Sequence, residues 1–126
     1  GSNPSPFGTP FEHQEDEIAE MLSSMLSSMK KNRWNILLTH APPYGALDEV
    51  APDVHVGCHS AAEVIREFDI ICCGHIHEQR AVSELNGRIC VNPGPAKEGN
   101  YAVIILDDEN EPEIILKNIR DEAEQE

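Results

Sequence analysis

The stretch that most constrains this chain is Asp69-Ile70-Ile71-Cys72-Cys73-Gly74-His75-Ile76-His77-Glu78. It is an apolar run too short for a helix, which stops at a glycine and delivers two histidines. Read as a buried strand, it ends at Gly74, where the absence of a Cβ lets the backbone turn sharply. Side chains alternate in extended backbone, so His75 and His77 point to one side and can serve one metal or two adjacent ones. A single His pair at this spacing is more often a pair of polar loop residues, so the question is whether the design recurs. It does. Trp34-Asn35-Ile36-Leu37-Leu38-Thr39 is a second apolar run that ends at a histidine, His40, and Pro42 and Pro43 stop the strand and stiffen its exit. If the two strands are neighbours, three imidazoles cluster at their carboxyl ends, where α/β proteins place their sites. Three neutral histidines suit Zn, Mn, Fe, Co or Ni and match calcium poorly.

The rest of the chain sets bounds. Its 126 residues, 40% of them hydrophobic, make one modest domain. A formal charge of −14 argues against unaided binding to nucleic acid or anionic membranes. Phosphorylated substrates stay open, because bound divalent cations invert the local field. No run approaches the roughly 20 apolar residues of a membrane span and no secretory leader is visible, so the expected location is the cytoplasm. Cys58, Cys72, Cys73 and Cys90 form no C-x-x-C pair and read as reduced, structural residues. His55-Val56-Gly57-Cys58-His59 has ligand-like composition but fits no zinc-finger or haem spacing.

Around the two histidine segments the elements follow from pattern. Gly1 to Pro10 is expected to be loop. A helix can start at Thr9, with Pro10 and Glu12 completing a capping box, or near Glu15. Ile18, Met21, Leu22, Met25, Leu26 and Met29 form one apolar stripe of a helix ending around Lys31-Asn32. Ala46 to Gly57 reads as an irregular acidic loop, and Ser60 to Glu63 as a capping box opening a helix through Phe68. Asn86-Gly87 between alternating runs predicts a hairpin of 80–85 with 88–91. A second hairpin joins 101–106 to 113–118. Asp121 to Glu126 reads as a frayed acidic tail.

No P-loop, serine-hydrolase elbow or H-E-x-x-H is present. Instead Thr39-His40-Ala41-Pro42-Pro43, Gly74-His75-Ile76-His77-Glu78 and Asn92-Pro93-Gly94, in this order, resemble the last three signature segments of the calcineurin-like metallophosphoesterases. The likeness is greatest to the small archaeal and bacterial branch of phosphodiesterases and phosphatases. It implies an α/β fold: half of an α/β/β/α sandwich, with a mixed sheet, two main helices and C-terminal hairpins. Residues 1–120 would be the C-terminal half of the domain and 121–126 the acidic tail. It further implies two divalent ions (Mn, Fe, Zn, Ni or Co), with His40 and His75 resembling ligands of the second and His77 a ligand of the first. A hydroxide bridging the ions would attack phosphorus in line with the leaving group.

The family's first-half motifs, Asp-x-His, Gly-Asp-x-x-Asp and Gly-Asn-His, are missing. Asp53-Val54-His55 spells the first only formally, out of order and without a preceding strand. The expected partner is therefore an N-terminal half of the same fold, or another copy, which completes a phosphoesterase acting on a phosphorylated small molecule. The competing expectation is a non-catalytic scaffold or protein-binding module that keeps the architecture. Tyr44, His55 and His59 are candidate rim residues.

Overall fold

The computed structural model describes residues 13–124. The Thr9 capping box and the 1–10 loop lie outside them. Helix α1 covers Glu15–Ser28, with Glu15, Asp16 and Glu17 in its first turn, where the helix dipole favours negative charge. Of the expected stripe, Leu22, Leu26 and Met29 pack on the core, while Met21 and Met25 stay 51% and 41% exposed. The helix stops short of Lys31. The Ser27 and Ser28 hydroxyls donate back to the carbonyls of Ser24 and Met25, at 2.8 and 3.2 Å, and so compete for the helix's last acceptors.

Eight strands follow: β1 (Ile36–Leu38), β2 (Glu49–Ala51), β3 (Val54–His55), β4 (Ile70–Cys72), β5 (Ala81–Leu85), β6 (Arg88–Asn92), β7 (Asn100–Ile105) and β8 (Glu113–Asn118). The main sheet has the order β1-β4-β6-β5. Its first three strands run parallel, with Leu37 beside Ile71 and Ile71 beside Cys90, and β5 returns antiparallel to β6. The parallel centre is β4, whose Ile70 and Ile71 are fully buried, as an unbroken apolar run requires when both faces are covered. Leu37, Ile65, Phe68, Ile71, Cys73 and Cys90 form the core under α1. Burying one such large aliphatic side chain contributes about 2 kcal/mol.

Two expectations are corrected here. The acidic stretch 46–57 is not irregular, because β2 and β3 pair in a small hairpin. Its turn uses Asp53 at φ 59, a conformation that Asp tolerates better than most residues. Nor does Ser60 form a capping box within its own helix. Helix α2 (His59–Glu63) starts two residues earlier than that cap would place it, and the Glu15 carboxylate of α1 accepts the His59 and Ser60 N–H groups at 3.1 and 3.0 Å. The Ser60 hydroxyl also turns to Glu15, at 2.8 Å. The cap is thus supplied across the structure, and a 3-10 turn at Ile65–Glu67 completes the path to Phe68.

The Asn86-Gly87 turn has φ 51 and 78, the two positive values that a two-residue hairpin needs, and joins β5 to β6 as expected. Strands β7 and β8 form a separate hairpin, from Asn100 opposite Asn118 to Ile105 opposite Glu113. The tail does not fray at Asp121. Helix α3 covers Ile119–Glu124, and Glu122 accepts from the Tyr101 hydroxyl and pairs with Lys117 Nζ at 3.3 Å.

Candidate metal centre

His40 and His75 leave the sheet from neighbouring strands, and the parallel pairing of β1 with β4 brings them together. The ladder runs past the strands: the Thr39 N–H donates to the Cys72 carbonyl at 2.9 Å and the Gly74 N–H to the His40 carbonyl at 2.9 Å. Their rings meet edge to face, centroids 4.8 Å apart, with His40 Nε2 2.9 Å from His75 Nδ1. Partial burial lowers the His40 pKa below its ordinary 6.5, and the charges of His75 and His77 lower it further. A neutral imidazole keeps its lone pair, which is the form a metal takes.

The turn does not fall where the sequence suggests. Gly74 has no positive φ, and it is His75 that takes the left-handed value, φ 68. The Ile76 N–H donates to the Gly74 carbonyl at 2.8 Å, so His75 is the central residue of a three-residue γ-turn of the strained hand. A non-glycine residue held in such a conformation costs on the order of 1–3 kcal/mol. His77 opens the 3-10 turn His77–Gln79 and is exposed. Among the described residues, no three or more His, Cys, Asp or Glu side chains stand close enough to hold an ion together. His40 and His75 are thus two imidazoles that meet, with no third such donor grouped with them among the described residues.

Beside this corner stands a second, which sequence reasoning missed. Asp48 is 1% exposed and accepts the Gly45 and Gly57 N–H groups, each at 3.0 Å, and His55 Nδ1 at 2.7 Å. Gly57 is the close approach, since a Cβ there would lie 2.5 Å from the Pro43 carbonyl oxygen. The hydrogen bond to Asp48 raises the His55 pKa above 6.5, and the charges of Asp48, Glu49 and Asp53 add to the shift. Tyr44 stacks on His59, centroids 4.1 Å apart, and tilts toward His55 at 5.6 Å. Gln79 Nε2 donates to the Glu49 carbonyl at 3.1 Å and ties this hairpin to the turn that carries His77. The three candidate rim residues thus form one ring cluster fastened beside the His77 turn. His55 is committed to Asp48, His59 to Tyr44, and Cys58 is buried, so they make no joint metal site. Nothing in the local sequence marks Asp48, because its partners Gly45, Gly57 and His55 come together only when the hairpin folds.

All four cysteines are free, and burial raises each thiol pKa, to about 12 for Cys73 and about 11 for Cys90. They are unreactive packing residues, as expected.

A family model for metallophosphoesterases of the calcineurin superfamily matches residues 16–117, so the chain belongs to that family. Members of the superfamily typically bind divalent metals. The chain is 37% identical over 122 residues to "Uncharacterized protein MJ1162" of Methanocaldococcus jannaschii, covering 87% of this chain and 54% of that protein. It is 29% identical over 96 residues to "UPF0046 protein K07C11.7" of Caenorhabditis elegans, covering 74% and 31% of the two. TT1561 of Thermus thermophilus has the same fold, with a TM-score of 0.56 at 20% identity over 95% of this chain and 51% of that one. The chain thus spans about half of the first relative and a third of the second. The mixed α/β architecture with C-terminal hairpins is the one the resemblance implied. No helix among the described residues is long and apolar enough to cross a membrane.

Proposed function

We propose that this chain supplies His40, His75 and His77 to a binuclear divalent-metal centre that hydrolyses phosphodiesters or phosphomonoesters of small molecules. The observation that carries this reading is the meeting of His40 Nε2 and His75 Nδ1 at 2.9 Å, from the ends of adjacent parallel strands, with His40 held toward its neutral form. His40 and His75 would hold one ion and His77 the other. Bound there, the ions would supply Lewis-acid charge to phosphate oxygens and a water of lowered pKa. The chain's own part is to present the imidazole lone pairs on a rigid strand end and to flank them with the Tyr44–His59 stack.

The remaining donors would come from an N-terminal half of the same fold, or from another copy. Supporting this, β1 is an outer strand whose Ile36 and Leu38 are 44% and 83% exposed. Beside it runs an apolar groove lined by Met21, Leu22, Met25, Leu37 and Leu38. An open edge with apolar side chains is a template for another strand. A second reading, a non-catalytic scaffold, draws on the want of a three-donor cluster among the described residues.

The test mixes the 126-residue chain with candidate N-terminal polypeptides and Mn²⁺ and follows bis(p-nitrophenyl) phosphate hydrolysis. Turnover that needs both polypeptides and is lost in His75→Ala supports the enzyme. Complex formation with neither bound metal nor turnover leaves the scaffold.

A further inference from the structure

We infer that Asn92 is the positioning residue that holds His75 in its left-handed conformation and thereby sets the His40–His75 pair. The inference deepens the metal-centre reading and rests on it only for its metal arm. Asn92 ends β6 and is 1% exposed. Its Nδ2 donates to the Ile76 carbonyl at 2.9 Å, on the peptide between His75 and His77. Its Oδ1 accepts the Gly94 N–H, also at 2.9 Å. One buried amide thus clamps the histidine turn to the Asn92-Pro93-Gly94 bend, using a donor and an acceptor at once, which an ionised acid or an aliphatic residue of the same size cannot do.

The bend itself is braced from the far side. Gly94 has φ 87 and stands where a Cβ would lie 2.8 Å from Arg80 Cδ. Arg80 donates to the Pro93 and Lys117 carbonyls at 2.9 and 3.1 Å, so the bend that carries Asn92's partner is tied to β8. At the other end, the Ile76 carbonyl also accepts the Gln79 N–H at 3.1 Å, and the Ile76 side chain is buried. The Ile76 N–H bond closes the γ-turn from within, and the Gly74 N–H bond to the His40 carbonyl ties its first residue to the end of β1, on the side away from Asn92. Asn92 is the buried side chain that anchors its other side, at the Ile76 carbonyl, to β6. A strained backbone persists only where its surroundings over-determine it, and Asn92 is the buried side chain placed to do so.

The test compares the 126-residue chain with Asn92→Asp at a pH where the new carboxylate is ionised, so that it keeps size and the acceptor to Gly94 but presents no donor to Ile76. Without metal, the readouts are ring-to-ring nuclear Overhauser contacts between His40 and His75 and hydrogen exchange at the Ile76 amide. We expect the folded variant to lose the ring contacts and to exchange Ile76 at least about 10-fold faster. With Zn²⁺, partners that orient ligands are worth roughly 10- to 100-fold in affinity, and calorimetry should show a loss in that range. A folded variant with ring contacts and Ile76 protection unchanged overturns the inference. Should Asn92→Asp not fold, Asn92→Ser, too short to reach Ile76, is read the same way; if neither folds, Asn92 is a general fold residue and the inference falls. Loss of ring contacts in the variant, with no Zn²⁺ bound even by the unaltered chain, keeps the positioning role and shows that His40 and His75 hold no ion without donors from the other half.

Discussion

His40 and His55 are two histidines of one small fold that have been pushed in opposite directions. His40 faces another imidazole at the end of the sheet, and burial with like charge keeps it toward neutral. His55 faces a buried carboxylate, and that bond keeps it toward charged. The first meets a second imidazole at the sheet end, and the second closes a loop inward. Residue type alone distinguishes nothing here. What each imidazole can do is decided by the group opposite its nitrogen.

The comparison can be broken most forcefully at Asp48. Asp48→Ala removes the acceptor shared by Gly45, Gly57 and His55, and with buried donors losing a charged acceptor we expect about 3 kcal/mol of lost stability. Urea melts check it, and a loss below about 1 kcal/mol would show that the carboxylate is not what closes the hairpin.

Next in size is the outward corner. His40→Ala should leave the fold intact, since His40 lies at the sheet end outside the hydrophobic core, but weaken Zn²⁺ binding at least about 10-fold by calorimetry. Unchanged affinity would sever His40 from the metal reading.

The pH dependence of the inward corner is smaller. The His55 pKa is raised in the folded chain, so its contribution is fully present below about 6.5, the ordinary value, and is lost as pH rises through the folded value. The gap in Tm between the unaltered chain and His55→Ala should therefore be widest below that pH and shrink on raising it. A gap that ignores pH would mean that the charge of His55 does not matter to the hairpin.

The smallest effect tests the strain. Because φ 68 suits glycine, His75→Gly should raise stability by up to about 1 kcal/mol while removing the ligand. A loss of stability in thermal melts would mean that the His75 ring contributes more by packing than its backbone costs.

Much of this was legible along the chain. The parallel strands could be read because their apolar runs are continuous, and the β5–β6 hairpin because Asn86-Gly87 accepts two positive φ values. The order of the three signature segments disclosed the family, and His40 and His75 were named as candidates because both terminate apolar runs. Asp48 was not legible as a structural anchor. An acidic residue in an acidic stretch looks solvated until the fold wraps Gly45, Gly57 and His55 around it. The cap on α2 was misplaced for the same reason, since Glu15 lies far away in sequence and next to Ser60 only in space.

By itself, then, the sequence determined the apolar strands of the main sheet, the Asn86-Gly87 turn, the family and which imidazoles follow the strands. These depend on periodicity and backbone preference, which act between near neighbours. Only the tertiary structure decided that His40 and His75 touch, that the left-handed residue is His75 rather than Gly74, and that Asn92 reaches the peptide between the histidines. Those facts depend on strand register and on buried polar groups finding partners, and a polar group's partner is chosen by three-dimensional proximity, not by its place in the chain.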